Sequence, residues 1–416
     1  MKERPGLLPK YKFLADTALN ILSATIPVFA LQFILLPLVA AKTNATAYGK
    51  LVTIIALVNL SAATLGNVLN NSKLINFKKY ENLEINGDYN LTLLFFIAVN
   101  IFFILGGLLF YGELSNTFGS LLIIVFSVFQ LFRGYAIVEF RIKLNFKYIL
   151  ADSFFLLAGY FIGYLFFLST ERWEFIFLLG FACSSVYILY NTTIFKAPLK
   201  RTRLFKSTCP HTLVLLLSSI LIALGIYIDR LILFPILGGE TVSIYFTASI
   251  LPKTLLLIVN PVTGVLLSYL AQYKSFDNKY FLLLFLGSAS VGLIGYFLIV
   301  LLSQPLLGLI YPQFVSAAAE YIPLISAGII IMLVTTVLNA VLLKFRNIQW
   351  QFVINAIYLG LYFAFTLTLL RSKGLMGFCI GILVANLAKL ILTMAAFYFP
   401  LNRDKQLKLN LFKPIS

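Results

Sequence analysis

The 416-residue sequence predicts an all-α integral membrane protein of about 12 transmembrane helices, arranged as two six-helix bundles. Three observations predict it. Mean hydropathy is +0.96 and only 11% of residues are charged, against about a quarter in ordinary soluble chains. Apolar stretches of about 20 residues, enough to cross a hydrocarbon core of ~30 Å, recur from residue 18 to residue 398. The longest basic stretch, KAPLKRTRLFKSTCPH at 196–211, divides those stretches six to six, and no length remains for a separate soluble domain.

Taken in order, the first span, 18–41, is too long for a signal-peptide core and lacks a convincing cleavage site, so it is read as retained. The second, 51–69, and third, 91–111, flank a break carrying Lys73, Lys78 and Lys79. The fourth, 118–138, and fifth, 149–169, flank Arg141, Lys143 and Lys147. The sixth, 175–194, ends at the central basic loop of 195–211, so the expected domains are 1–200 and 201–416. The seventh and eighth, 212–237 and 242–269, are separated by residues 238–241 alone. The ninth to twelfth, 280–303, 320–343, 350–370 and 374–398, complete the set.

Twelve spans place both termini on one side. That side and its loops carry 23 of the 32 Lys and Arg, while the opposite loops carry five: Lys42, Lys50, Arg172, Arg371 and Lys373. The positive-inside rule therefore places the termini in the cytoplasm. The formal charge of +17 is mostly topological; divided among short loops, it forms no continuous platform for nucleic acid. Cys183, Cys209 and Cys379 are odd in number and share no spacing, so neither a disulfide framework nor a metal box follows. His211, the one histidine, sits where the central loop enters the seventh span and reads as interfacial.

The six-to-six division invites a search for duplication. At an offset of 198, FILLPLVAAKTNATAY (33–48) lies over LILFPILGGETVSIYF (231–246), with Pro37 over Pro235 and Thr43 over Thr241. An even number of spans per half makes the pseudo-repeat parallel, about an axis along the membrane normal, with two bundles facing one another. In this frame Asp229 and Arg230 lie over Leu31 and Gln32, so the charged pair belongs to the second half alone.

Four basic residues fall inside spans: Arg133, Arg230, Lys253 and Lys389. Facing lipid, each costs about 2.5–3.5 kcal/mol on insertion scales, so each is expected to face protein or a wet cavity. Asp152 lies near the cytoplasmic start of the fifth span, which leaves Asp229 as the acid placed to balance them and an interior with net positive charge. Polar residues share helix faces: Ser249, Lys253, Asn260 and Gly264 in span eight; Asn59, Gly66, Asn67 and Asn70 in span two; Asn386, Lys389 and Thr393 in span twelve; Asn20, Ser23 and Pro27 in span one. Such residues either line a space or act as interhelical hydrogen-bonding glue. Arg133 and Lys389 are also near enough to span ends to snorkel. Pro27, Pro37, Pro235, Pro252, Pro261 and Pro323 fall within spans or near their ends and favour kinks. GYFIG (159–163) and GFCIG (377–381) have the spacing that lets membrane helices approach closely.

No phosphate loop is present; AYGKL (47–51) lacks its first glycine and its hydroxyl, so ATP hydrolysis is excluded. Membrane polysaccharide polymerases and glycosyltransferases need catalytic groups in sizeable outer loops. Here 112–117 offers Glu113, 238–241 offers Glu240, and 304–319 offers only Tyr311 as a titratable group.

Several segments resemble the Wzx-type polysaccharide flippases of the multidrug/oligosaccharidyl-lipid/polysaccharide (MOP) exporter superfamily. They are IDRLILFPILGGETVSIYFTASILPKTLLLIVNPVTGVLLSYLA (228–271), YGKLVTIIALVNL (48–60), FRGYAIVEFRIKLNF (132–146), QPLLGLIYPQFVSAAAEYIPLI (304–325) and KGLMGFCIGILVANL (373–387). The resemblance covers nearly the whole chain and implies a MATE-like fold in the bacterial inner membrane. It implies movement of an undecaprenyl-pyrophosphate-linked oligosaccharide from the cytoplasmic to the periplasmic leaflet by alternating access, for O-antigen lipopolysaccharide or another surface polysaccharide. The implied cationic cavity has Arg230, Lys253, Arg133 and Lys389 as its candidates. Asp229, Asn59, Asn67, Asn70, Ser249, Asn260 and Asn386 are candidate polar or coupling residues. No cofactor is implied; the coupling ion, sodium or proton, stays open. The implied partners are the bilayer, the lipid-linked sugar, and a polysaccharide polymerase or chain-length regulator. Two alternatives remain: a drug or cation antiporter of the same superfamily, which would use intramembrane carboxylates, and a membrane polymerase or glycosyltransferase.

Single cysteines placed in 196–211 of a cysteine-free protein are expected to react with an impermeant maleimide only from the cytoplasmic side; labelling from outside would invert the topology.

Overall fold

A computed structural model describes residues 10–80, 85–196, 199–270, 277–346 and 349–398; the side chains at 10–15, 78, 257, 258, 260–262, 264, 265, 267–269, 349 and 352 lie outside the description. Among the described residues every regular element is helical, and ten helices are long and apolar enough to cross a membrane. Two of these are pairs merged through a break. Phe205–Leu270 breaks at Gly238, with φ +80°, and Gln349–Tyr398 breaks at Lys373 and Gly374, where Gly374 has φ +56°. Glycine takes such left-handed angles without the Cβ clash of other residues. Counting each side of both breaks gives the twelve spans expected: α1 (Asp16–Ala40), α2 (Ala45–Asn76), α3 (Ile85–Phe110), α4 (Thr117–Ile142), α5 (Phe146–Thr170), α6 (Glu174–Asn191), α7 (205–237), α8 (239–270), α9 (Asn278–Ile310), α10 (Ile322–Phe345), α11 (349–372) and α12 (375–398).

Several helices outrun their expected spans. α2 begins at Ala45 because the Asn44 side chain accepts from the Ala47 amide at 2.7 Å, and it continues to Asn76 because its polar end is buried among other helices. α9 runs on to Ile310 through Pro305, and Pro312–Ala318 forms a short helix, so much of the expected loop 304–319 is helical. π-turns interrupt α1 at Leu31–Leu35, just after Pro27, and α2 at Asn59–Ala63.

The chain divides into two compact units, Met1–Ser243 and Ile244–Ser416. In the first, α2 is the central element: between Tyr48 and Val58 every residue except Lys50 is buried. The outward faces of its neighbours carry Phe95, Phe102, Leu109 and Phe110, which suits contact with lipid tails. In the second, Phe281 of α9 stacks on Phe397 of α12 at 3.7 Å inside a cluster with Leu338, Val341 and Ile354.

Small residues set the helix spacing. A Cβ at Gly159 would overlap the Leu179 carbonyl and Gly180, and one at Gly163 would overlap the Phe175 carbonyl and Ile176. The pairing of 159 with 180 and 163 with 176 shows α5 and α6 antiparallel and in close contact, as GYFIG predicts. Gly377 and Gly381 play the same part for α12, against Leu369 and Thr366 of α11. Gly66 of α2 meets Leu131 and Gly134 of α4.

Gly159→Val is expected to lower the thermal midpoint of the detergent-solubilised protein, by the ~1–3 kcal/mol typical of overpacking. Gly106→Ala, in α3 with open space at its Cα, should leave it unchanged or raise it.

Candidate functional site

In the first unit Arg133 and Arg230 each have a carboxylate neighbour. Arg133, from α4, donates through Nε (3.0 Å) and a terminal nitrogen (2.6 Å) to Asp152 Oδ2 of α5, and through Nε to Ser184 Oγ of α6 at 2.9 Å. Ser184 in turn donates to Asp152 Oδ1. Asp152 is fully buried, and three helices are tied through it. The expectation that Asp152 stands apart at a span end, leaving Arg133 as uncompensated charge, is therefore corrected. One helical turn of α5 brings Asp152 level with Arg133, a depth that span boundaries alone do not define. Asp229 and Arg230 on α7 are both buried; Arg230 Nε lies 3.8 Å from Asp229 Oδ1, which also accepts from the Arg230 amide at 2.8 Å.

The second unit differs. Lys253 of α8 lies over the Tyr245 ring, 5.4 Å from its centroid, and Lys389 of α12 lies over Tyr358 of α11 at 4.4 Å. Such contacts favour a cation without neutralising it. From 244 to 416 the acidic residues are Asp277, Glu320 and Asp404, and none falls inside a span. Near Lys389 along α12, Asn386 and Thr393 are buried, and neither Asn386 Oδ1 nor Thr393 Oγ1 has a hydrogen-bond partner among the described residues. Ser326 Oγ of α10 is buried in the same condition.

The expected polar stripes separate into two kinds. Asn70 is buried and structural: its Nδ2 donates to the Gly134 carbonyl at 3.0 Å and its Oδ1 accepts from Arg141 at 3.1 Å. Ser249 is fully buried and returns its hydroxyl to the Phe246 carbonyl of its own helix. Ser23 donates to the Asn20 carbonyl and receives Ser153 of α5 on its own carbonyl. Asn59, by contrast, is half-buried and accepts from Gln130 Nε2 at 2.7 Å, and Asn67 is exposed. The side chains of Asn260 and Pro261 lie outside the described residues.

Sequence reading missed a buried network at the helix ends nearest the central basic stretch. Lys73, assigned there to a loop, is fully buried in α2; its Nζ donates to Asn86 (2.6 Å) and Glu139 (3.2 Å) and lies 5.2 Å from the Tyr135 ring centroid. Asp88 accepts from Tyr80 (2.9 Å), the Thr202 hydroxyl (2.6 Å) and the Thr202 amide (2.7 Å). Burial pushes the Tyr80 hydroxyl pKa up, so it stays a donor. Ser72 is 2.6 Å from Thr212, which ties α2 to the start of α7. The available signal was Asn70 and Lys73 at i, i+3, prolonging the polar face of α2 beyond its apolar run.

At the opposite ends Lys50 pairs with Glu113, and the Tyr111 hydroxyl, pushed up to about 12 by burial, donates to the Leu231 carbonyl at 3.0 Å. Ser243 Oγ donates to the Ala45 carbonyl at 2.6 Å. These two residues are 198 apart, the offset of the repeat found in sequence. A Cβ on Gly49 would collide with Gly239, and one on Gly239 with Thr46, so α2 and α8 begin in backbone contact.

No family model and no curated protein matches the chain. Solved structures do. A multidrug resistance MATE family transporter of the MOP superfamily, in its inward-facing conformation, aligns with a TM-score of 0.69 at 13% identity over 95% of each chain. The lipid II flippase MurJ, in an inward closed conformation, aligns with a TM-score of 0.67 at 12% identity over 93% of this chain and 87% of its own. At such identities the likeness establishes the fold, a MATE-like membrane bundle.

Asp152→Asn leaves the Arg133 charge without its counter-ion and is expected to destabilise the protein strongly, in the range of ~3–5 kcal/mol for a broken buried pair. The double variant Arg133→Met/Asp152→Leu should recover much of that loss in thermal unfolding; an equal loss in both would show that the pairing carries no weight.

Proposed function

We propose that this protein is a Wzx-type flippase that carries a polyprenyl-pyrophosphate-linked oligosaccharide from the cytoplasmic to the periplasmic leaflet of the bacterial inner membrane, with both termini cytoplasmic. The observation that carries the reading is the charge balance of the second unit: Lys253 and Lys389 sit within spans, against aromatic rings, and between residues 244 and 416 no carboxylate lies inside a span. In hydrocarbon a charge is costly, and spans whose fixed cations outnumber the acids of the same unit suit an anionic passenger. A pyrophosphate supplies that charge, while its polyprenyl tail can stay in lipid. Asp229 and Arg230, a buried pair in α7, add a group whose balance a passing anion would alter.

An inside-negative potential favours outward movement of an anion by ~2.3 kcal/mol per charge per 100 mV, so direction needs no ATP. The functional division into residues 1–200 and 201–416, a sodium or proton as coupling ion, and a downstream polymerase or chain-length regulator belong to the same reading. That a fold neighbour is a lipid II flippase supports it. The multidrug neighbours raise cation antiport, but Asp152, Asp229 and Glu139 each lie beside a basic side chain and Asp88 is hydrogen-bonded by Tyr80 and Thr202, which engages these acids within the protein rather than leaving them to a cationic drug.

In proteoliposomes, Lys253→Met/Lys389→Met is expected to slow transbilayer movement of a fluorescent polyprenyl-pyrophosphate oligosaccharide by at least ~10-fold, equivalent to ~1.4 kcal/mol. Arg at both positions should restore part of the rate, because charge is conserved while shape is not. Wild-type rates in the Met variant would overturn the reading.

A further inference from the structure

The first unit carries a second polar feature that the cations do not explain. Asn59 and Gln130 are half-buried and Asn67 is exposed, although all three sit in apolar membrane helices. An amide turned toward lipid tails has no hydrogen-bond partner there, so these groups are better placed facing water or a polar ligand. The Asn59 carbonyl is already engaged by Gln130 Nε2, which leaves the Asn59 amino group and the Gln130 carbonyl as a donor and an acceptor side by side. Among the described residues neither has another hydrogen bond.

Local structure holds these groups in place. Eight residues overshoot two turns of an ideal α-helix by ~80°. The π-turn at Asn59–Ala63 is wider and takes up part of that overshoot, bringing Asn67 closer to the line of Asn59. The two are separated by ~12 Å along the axis. The helices cannot slide, because α2 and α4 meet at Gly66 and Gly134 and the Asn70 amide holds the Gly134 carbonyl. One turn beyond Gln130, Arg133 is compensated by Asp152, so the face offers hydrogen bonds with little net charge.

The geometry points to a carbohydrate subsite on the first unit, in which Asn59, Gln130 and Asn67 hydrogen-bond the hydroxyl or acetamido groups of a neutral sugar. Paired donors and acceptors on a rigid, nearly neutral face suit such groups, whereas a pyrophosphate needs the fixed cations that the second unit supplies. The inference rests on the flippase reading and adds a place for the sugar on the first unit.

The test measures binding to the full-length protein in nanodiscs with two probes, undecaprenyl pyrophosphate and the same lipid bearing a neutral disaccharide. Wild type should prefer the glycosylated probe. Asn67→Leu, whose side chain ties no helices together, should weaken that probe about tenfold, the scale of one or two lost hydrogen bonds, and leave the sugar-free probe unchanged. Gln130→Met should act in the same direction, while Lys389→Met should weaken both probes equally. Unaltered preference in Asn67→Leu, or no preference in wild type, would overturn the subsite and leave the flippase reading standing. Wild type that binds neither probe would overturn both.

Discussion

Hydrocarbon cannot solvate a charge, and that constraint organises the chain. Every basic residue that enters a span must meet a carboxylate, a ring face or water. The first unit meets the demand with pairs: Arg133 with Asp152, Lys73 with Glu139, Arg230 with Asp229. The second unit places Lys253 and Lys389 against tyrosine rings and has no acid in its spans. Within the second unit the in-span cations thus have no in-span acid of the same unit to balance them.

The pairs also hold helices together. Asp152 joins α4, α5 and α6 through Arg133 and Ser184, and Lys73 joins α2 to residues at the starts of α3 and the end of α4. Between these polar ties the helices are set by backbone contact at Gly66, Gly159 and Gly163. Close packing makes the ties short and the register firm, which is why the Asn59–Gln130 amide pair holds a defined position on a surface that would otherwise be soft.

Much of this was legible in the residues. The positions of Arg133, Arg230, Lys253 and Lys389 within apolar runs marked them as buried or cavity-facing, and the G-x-x-x-G spacings marked the close helix contacts. Lys73 was misread because hydropathy treats any basic residue at the edge of an apolar run as loop; a helix that continues into a polar, protein-lined environment leaves no such mark. The distinction between Asn70, spent on Gly134 and Arg141, and Asn67, exposed three residues earlier, could not be drawn from spacing, since both lie on one polar face of α2.

The sequence by itself determined the all-helical membrane class, the twelve spans and the basic residues that must be accommodated inside them, because chain length against bilayer thickness and the cost of buried charge act on composition alone. Only the tertiary structure decided which of those charges are compensated. Arg133 finds Asp152 across 19 positions and Lys73 finds Glu139 across 66, and such pairings depend on the rotation and depth of neighbouring helices, quantities set by packing and invisible in any single span.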